Sequence, residues 1–176
     1  MKKGIILYQS KYGATRKYAM WLQELTDFDC LETPKARPQE VAQYETILLC
    51  GGVYASGIAG LSFLKKNPGL LQGRKAAVLC VGASPYEEAA FAEIRAHNMT
   101  GELKRLPLFY GRGIWDESKM KFVDKTLCKI LQKSIAKKDP NTYEPWMAAL
   151  MSAAGQTCDW TDRKYLVPVL EFLGIE

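Results

Sequence analysis

Apolar runs of strand length alternate along this chain with longer stretches in which apolar residues recur every three or four positions. The runs are Gly4–Tyr8, Phe28–Leu31, Thr46–Cys50, Ala76–Val81 and Leu106–Tyr110. They are continuous rather than alternating, which predicts parallel strands covered on both faces. Between them the spacing predicts helices over Thr15–Leu25, Pro38–Gln43, Leu61–Leu71 and Tyr86–Asn98. A fifth helix is the clearest: Met120, Val123, Leu127, Ile130, Leu131 and Ile135 share one face, with lysines on the other side. Strand and helix alternate five times, so the expected fold class is α/β: a doubly wound, five-stranded parallel sheet with helices on both faces.

Asp139-Pro140-Asn141 breaks the fifth helix, dividing the chain into a sheet domain over 1–138 and a helical C-terminal appendage over 139–176. In the appendage, Pro145 starts one short helix ending near Gly155, and Thr161 caps a second running to Leu173. Pro168 is expected to kink that second helix. Trp146, Trp160 and Phe172 supply apolar surface for packing on the sheet domain.

Composition narrows the class. At 176 residues with 48% apolar and 24% charged side chains, the chain suits one domain with a full core, and wholesale disorder is excluded. Lys2 and Lys3 precede an apolar run too short for a secretory signal, and no run approaches a membrane span, so a cytoplasmic protein is expected. Five cysteines without a C-x-x-C pair give neither a disulfide framework nor a zinc site, and a metal centre is not expected. The net charge of +5 is local: residues 111–138 hold eight Lys and Arg against three acids.

Ligands of a doubly wound sheet bind beyond the carboxyl ends of its strands. The first loop there reads Ser10-Lys11-Tyr12-Gly13-Ala14-Thr15 and opens the first helix. Ser10 and Thr15 offer hydroxyls, Gly13 and Ala14 let backbone N–H groups approach an anion, and the helix N-terminus adds its dipole. The same residues also make a capped turn with Thr15 as N-cap. Neither G-x-x-x-x-G-K-[ST] nor G-x-G-x-x-G occurs in such a position, which disfavours a P-loop NTPase or a dinucleotide fold.

The sequence Ser-Lys-Tyr-Gly-Ala-Thr after a first strand, followed by Arg16-Lys17-Tyr18-Ala19, resembles the phosphate-binding loop of the flavodoxin-like family. It is similar to the branch that includes menaquinone-dependent protoporphyrinogen dehydrogenases, whose first loop often reads Ser-Lys-Tyr-Gly-x-Thr. The resemblance covers residues 1–138, with weaker similarity over Asp159–Phe172. It implies a flavodoxin-like sheet of strand order 2-1-3-4-5 and FMN as cofactor, its phosphate at Ser10, Lys11, Tyr12, Gly13, Ala14 and Thr15. It further implies that the loop after the third strand flanks the flavin, which lands on Val53, Tyr54, Ala55, Ser56 and Gly57. There Tyr54 is the expected stacking ring, and Gly57 the residue that lets a peptide reorient. The loop after the fourth strand, Gly82, Ala83, Ser84 and Tyr86, becomes the other wall, although Ser84-Pro85-Tyr86-Glu87 also reads as a helix start capped by Ser84. One departure from the branch stands out. Its members carry an extra loop near the fifth strand, whereas here Tyr110-Gly111-Arg112-Gly113 runs quickly into the last helix.

Other features read as structural. His97 is the only histidine and falls at a helix end, where a cation suits the dipole. Cys50 and Cys80 read as core residues on neighbouring strands. Lys121, Lys125, Lys129, Lys133 and Lys137 recur every fourth residue; they form a solvated face, or a surface for an acidic protein or an anionic membrane. No aromatic residues interleave with them, so nucleic acid is not an expected partner. The expected function is a flavodoxin-like FMN protein in electron transfer, or a small flavin oxidoreductase with an external redox protein or small molecule as donor and acceptor. No side chain stands out as a catalytic acid or base. Two alternatives remain: protoporphyrinogen oxidation with transfer to a quinone, and a flavin-free module that binds partners through the basic helix.

Overall fold

A computed structural model describes residues 2–175; Met1 and Glu176, the outer ends of the two expected segments, lie outside the described residues. Strand β1 (Lys2–Gln9) runs through the centre of a parallel sheet, between β2 (Asp29–Glu32) and β3 (Tyr44–Tyr54). Strand β3 pairs on its other edge with β5 (Lys75–Gly82), which pairs with β6 (Leu108–Arg112). The order β2-β1-β3-β5-β6 is the expected 2-1-3-4-5 of the long strands. A two-residue strand, β4 (Gly57–Ile58), adds an antiparallel hairpin on the end of β3 that the sequence did not suggest.

The continuous apolar runs are continuous because each strand is covered twice. Ile5 and Leu7 face one layer while Ile6 and Tyr8 face the other. Helix α1 (Ala14–Thr26) lies on the second face, where Tyr18, Ala19 and Leu22 are fully buried against Ile6, Leu48 and Leu79. The first face holds α2 (Pro38–Val41), α3 (Leu61–Lys66) and α4 (Glu88–Asn98). The predicted helix Leu61–Leu71 is split: Pro68 cannot continue α3, and a 3-10 turn over Pro68–Leu71 follows. Cys50 and Cys80 sit on adjacent strands but face opposite layers, because Cys50 pairs with Leu79 in the register. Burial pushes the Cys80 thiol up to about 12, consistent with inert packing.

The main departure from expectation follows β6. The lysine-rich helix α5 (Phe122–Ile135) does not close the sheet. After Gly113 the chain leaves the core as β7 (Ile114–Asp116), runs through α5 and α6 (Pro145–Ser152), and returns as β8 (Thr157–Asp159), which pairs antiparallel with β7. The Trp160 N–H donates to the Gly113 carbonyl at 3.1 Å, closing the neck of this excursion. The place beside α1 is taken by α7 (Val167–Leu173), with Leu166 and Val169 buried in the same core as Tyr18 and Leu22. Pro168 falls in the first turn of α7, where its missing N–H costs nothing, so there is no interior proline to kink it. Asp162, not Thr161, caps the preceding 3-10 turn by accepting from the Lys164 N–H at 2.9 Å. Among the described residues, no helix is long and apolar enough to cross a membrane.

Candidate functional site

The parallel strands deliver three loops to one edge, and the excursion folds down over that edge. In the first loop Gly13 takes a φ of 99°, a left-handed conformation that strains residues with a Cβ, and it occupies the N-cap of α1 in place of the expected Thr15. The Gly13 N–H donates to the Ser10 hydroxyl at 3.1 Å, which folds the loop on itself. The N–H groups of Ala14, Thr15 and Arg16 open the helix without an acceptor among the described residues. Open N–H groups at a helix start are where an anion can bind.

Lys11 and Tyr12 turn away from that helix end. Both the Lys11 ammonium and the Tyr12 hydroxyl bond to Asp124 of α5, and the Tyr12 oxygen also accepts from the Lys121 N–H at 3.5 Å. The Lys11 and Tyr12 bonds hold the Asp124 carboxyl below the usual carboxylate range. Asp124 thus ties the excursion to the first loop. Sequence spacing gave no sign of it, since the two partners lie more than a hundred positions away.

In the second loop, Ala55 and Ser56 have φ values of 46° and 65° and form the turn of the β3–β4 hairpin. Two successive left-handed residues suit a type I′ turn, normally built from Asn and Gly. The strained peptide is therefore at Ala55-Ser56. Gly57, expected to supply the backbone freedom, pairs in β4 without a left-handed φ. Asn98 holds the turn: its Nδ2 donates to the Ser56 carbonyl at 2.6 Å and its Oδ1 accepts from the Ile58 N–H at 2.9 Å. Gly51 is required nearby, because a Cβ there would lie 2.3 Å from the Ala59 carbonyl oxygen. Tyr54 folds back over Gly52, accepts from the Lys11 N–H at 2.9 Å, and meets Tyr12 edge to face at 6.1 Å.

The third loop is pinned from β6. The Gly82, Ala83 and Ser84 carbonyls accept from the Gly113 N–H at 2.7 Å, Arg112 Nε at 3.1 Å and the Tyr110 hydroxyl at 2.6 Å. These bonds hold Ser84 outside the helix. Glu87 caps α4 instead, accepting from Ala89 and Ala90 N–H at 3.1 and 3.0 Å. Tyr86 is 54% exposed and leans on Phe91 and Tyr110 at centroid distances of 5.4 and 5.9 Å.

Two adjoining cavities lie between these loops and the excursion. One, of about 410 Å³, runs from Ala14 and Thr15 past Tyr54, Ala55 and Gly82 to Leu127 and Leu131 of α5. The other, of about 370 Å³, is walled by Tyr86, Phe91, Tyr110, Trp146 and Trp160. They share seven lining residues, among them Val53, Ala83, Trp115 and Cys128. Trp115 lies on β7, and its indole Nε1 is buried with no hydrogen-bond partner among the described residues. A buried donor left unpaired costs about 1–3 kcal/mol. Neither Trp115 nor Cys128 stood out in the sequence, because both reach the loops only through the excursion.

Ser10, Lys11, Tyr12, Gly13, Ala14 and Thr15 thus come together with Val53, Tyr54 and Ala55 and with Gly82 and Ala83 at one sheet edge. Ser84 and Tyr86 face the second cavity, while Ser10, Lys11, Gly13, Ser56 and Gly57 line neither. Among the described residues no group of His, Cys, Asp and Glu could hold a metal ion.

The model of the flavodoxin domain family matches residues 5–143. No curated protein matches the sequence at a significant level. Among solved structures, a flavoprotein in complex with FMN from Lactobacillus acidophilus is similar, at 20% identity and a TM-score of 0.44 over 71% of this chain and 98% of that one. An archaeal flavodoxin is similar at 19% identity and a TM-score of 0.41, over 77% and 96% of the two chains. A WrbA-like flavodoxin from Agrobacterium tumefaciens is similar at 11% identity and a TM-score of 0.47, over 88% and 94%.

Proposed function

The chain belongs to the flavodoxin domain family, and from the geometry of its loops we propose that it binds FMN and exchanges electrons or hydride through it. One observation carries this reading: a single cavity runs from Ala14 and Thr15, whose N–H groups open α1, to Trp115, between the second and third loops. The chain's residues fit the cofactor. The N–H groups of Ala14, Thr15 and Arg16 would hold the phosphate, with Lys11 already neutralised by Asp124. Ala55 and Gly82-Ala83 would flank the ring, with the Trp115 side chain beside them.

FMN supplies one- and two-electron chemistry when bound, and the protein tunes and shields it. Here Leu127 and Leu131 of α5 give the cavity an apolar wall, and α6 walls the adjoining cavity. The Cys128 thiol, raised by burial, stays protonated against it at neutral pH. Donor and acceptor come from outside, as a redox protein or a small molecule. The test is titration of the purified protein with FMN. Quenched flavin fluorescence and a shifted visible spectrum are expected, both weakened by Gly13→Val. Unchanged FMN fluorescence would remove the flavin reading and leave the partner-binding module.

Protoporphyrinogen oxidation with transfer to a quinone is the second reading, favoured by the aromatic cavity beside the first. Tyr86, Phe91, Tyr110, Trp146 and Trp160 offer flat apolar surface for a large planar substrate. The missing loop that counted against this branch also loses force, since residues 114–159 form an excursion directly after β6. Turnover of protoporphyrinogen with a menaquinone analogue is its test, and FMN binding without turnover would leave the carrier reading alone.

A further inference from the structure

Helix α5 has three distinct faces. Asp124, Leu127, Cys128 and Leu131 line the cavity, and Ile135 is buried. At about 100° per residue, Val123 and Ile130 lie about 20° apart to one side of that face. They are 65% and 59% exposed, although buried apolar side chains are what such a stripe normally produces. The lysines follow on the next arc. Each four-residue step advances about 40°, so Lys121 to Lys137 fan across about 160° and end beside Ile130. None of the five lies in an ion pair among the described residues. Phe122, 84% exposed, stands among them at the helix start.

We propose that this face of α5 docks on an anionic phospholipid membrane, with Val123, Ile130 and Phe122 entering the headgroup region and the lysines at the phosphates. An apolar arc flanked by cations matches such a surface in both hydropathy and charge. A protein partner fits less well. Residues 114–159 contain no arginine, and interfaces between proteins favour arginine and aromatic residues over lysine. The lysines also fan too widely to meet one acidic patch, whereas a lipid surface is anionic everywhere. A second copy fits less well again. The sole acid of α5, Asp124, is held by Lys11 and Tyr12, so two such faces would bring unneutralised lysine rows together.

Helix α5 is too short and too charged to span a bilayer, so the association is peripheral and salt-sensitive. The Asp124 tie and the Gln132–Glu117 bond at 2.8 Å hold the helix to the body while it presents this face. The inference concerns the outer faces of α5 and stands whether or not the cavity holds FMN.

Flotation with phosphatidylcholine vesicles, with and without phosphatidylglycerol, tests it on the full chain. Binding is expected only with phosphatidylglycerol, weakening as salt rises. Lys129→Gln/Lys133→Gln/Lys137→Gln should lower affinity about 100-fold, near fivefold per lysine. Val123→Ser/Ile130→Ser should lower it about tenfold or more. All five positions are exposed, so both variants should melt with the parent protein. Should the serine variant lose structure, the lysine variant still decides. Absence of flotation at low salt overturns the proposal. So does flotation that neither variant changes, or lysine dependence without any apolar dependence, which would indicate an acidic surface that nothing enters. A dimer in sedimentation that Val123→Ser/Ile130→Ser dissociates, with no lipid binding, overturns it in favour of self-association.

Discussion

Helices α1 and α5 have 13 and 14 residues, and each carries an apolar stripe at helical spacing. In α1 the stripe is buried, with Tyr18, Ala19 and Leu22 all at 0% exposure against the sheet. In α5 the stripe divides: Ile135 is buried, Leu127 and Leu131 line the cavity, and Val123 and Ile130 look outward. The difference teaches that periodicity states that a face will be covered without stating by what. Helix α1 is joined to a central strand by a short loop and has to fall back on the sheet. Helix α5 follows a β7–β8 stem that carries it beyond the sheet edge, so its inner face meets the loops and its lateral face meets nothing in this chain.

The strongest way to break that comparison is truncation on each helix. Leu22→Ala is expected to destabilise by about 2–5 kcal/mol in urea unfolding, since it opens a cavity in a closed core. Leu166→Ala beside α7 should cost the same, because α7 and not α5 completes that layer. Ile130→Ala should stay within about 0.5 kcal/mol. A large loss for Ile130→Ala would mean that α5 is packed within this chain. Next comes Asn98→Ala, which leaves the Ile58 N–H and Ser56 carbonyl without their partner. About 1–3 kcal/mol is expected, with hydrogen exchange accelerating first at the β3–β4 turn. Gly13→Ala should cost about 1–2 kcal/mol through its left-handed φ, and should weaken FMN binding by more than it weakens the fold.

Asp124→Asn should have the smallest effect on stability, within about 1 kcal/mol, because the pair with Lys11 is partly exposed. Its pH dependence is the sharper readout. The carboxyl is lowered in the folded state, so its contribution is present above the unfolded value of about 3.9 and is lost as pH falls through the folded value. Parent and variant should therefore differ by a constant amount at neutral pH and converge in acid. Convergence at high pH instead would mean that Asp124 does not anchor α5.

Local patterns were legible where local physics decides. The five long strands fall within a few residues of the apolar runs, and Ser10 to Thr15 open α1 as the strand-loop-helix pattern required. Caps were less legible, because a cap depends on which group arrives. Gly13 displaced Thr15 through its φ, and Glu87 displaced Ser84 once Tyr110 held the Ser84 carbonyl. The left-handed pair Ala55-Ser56 could not be foreseen, since neither residue is a usual former of that turn and Asn98, which holds it, lies in another helix.

The sequence alone determined an α/β sheet with small-residue loops at one edge and a basic amphipathic helix after the fifth strand. Those traits depend on spacing and chemistry within a dozen residues. Only the tertiary structure decided that α7 closes the sheet, that residues 114–159 roof the loops, and that Trp115 and Asp124 belong to the site. Each of these depends on contacts between segments far apart in the chain. Sequence spacing carries no record of such contacts, because the β7–β8 stem, and not periodicity, sets where the excursion lands.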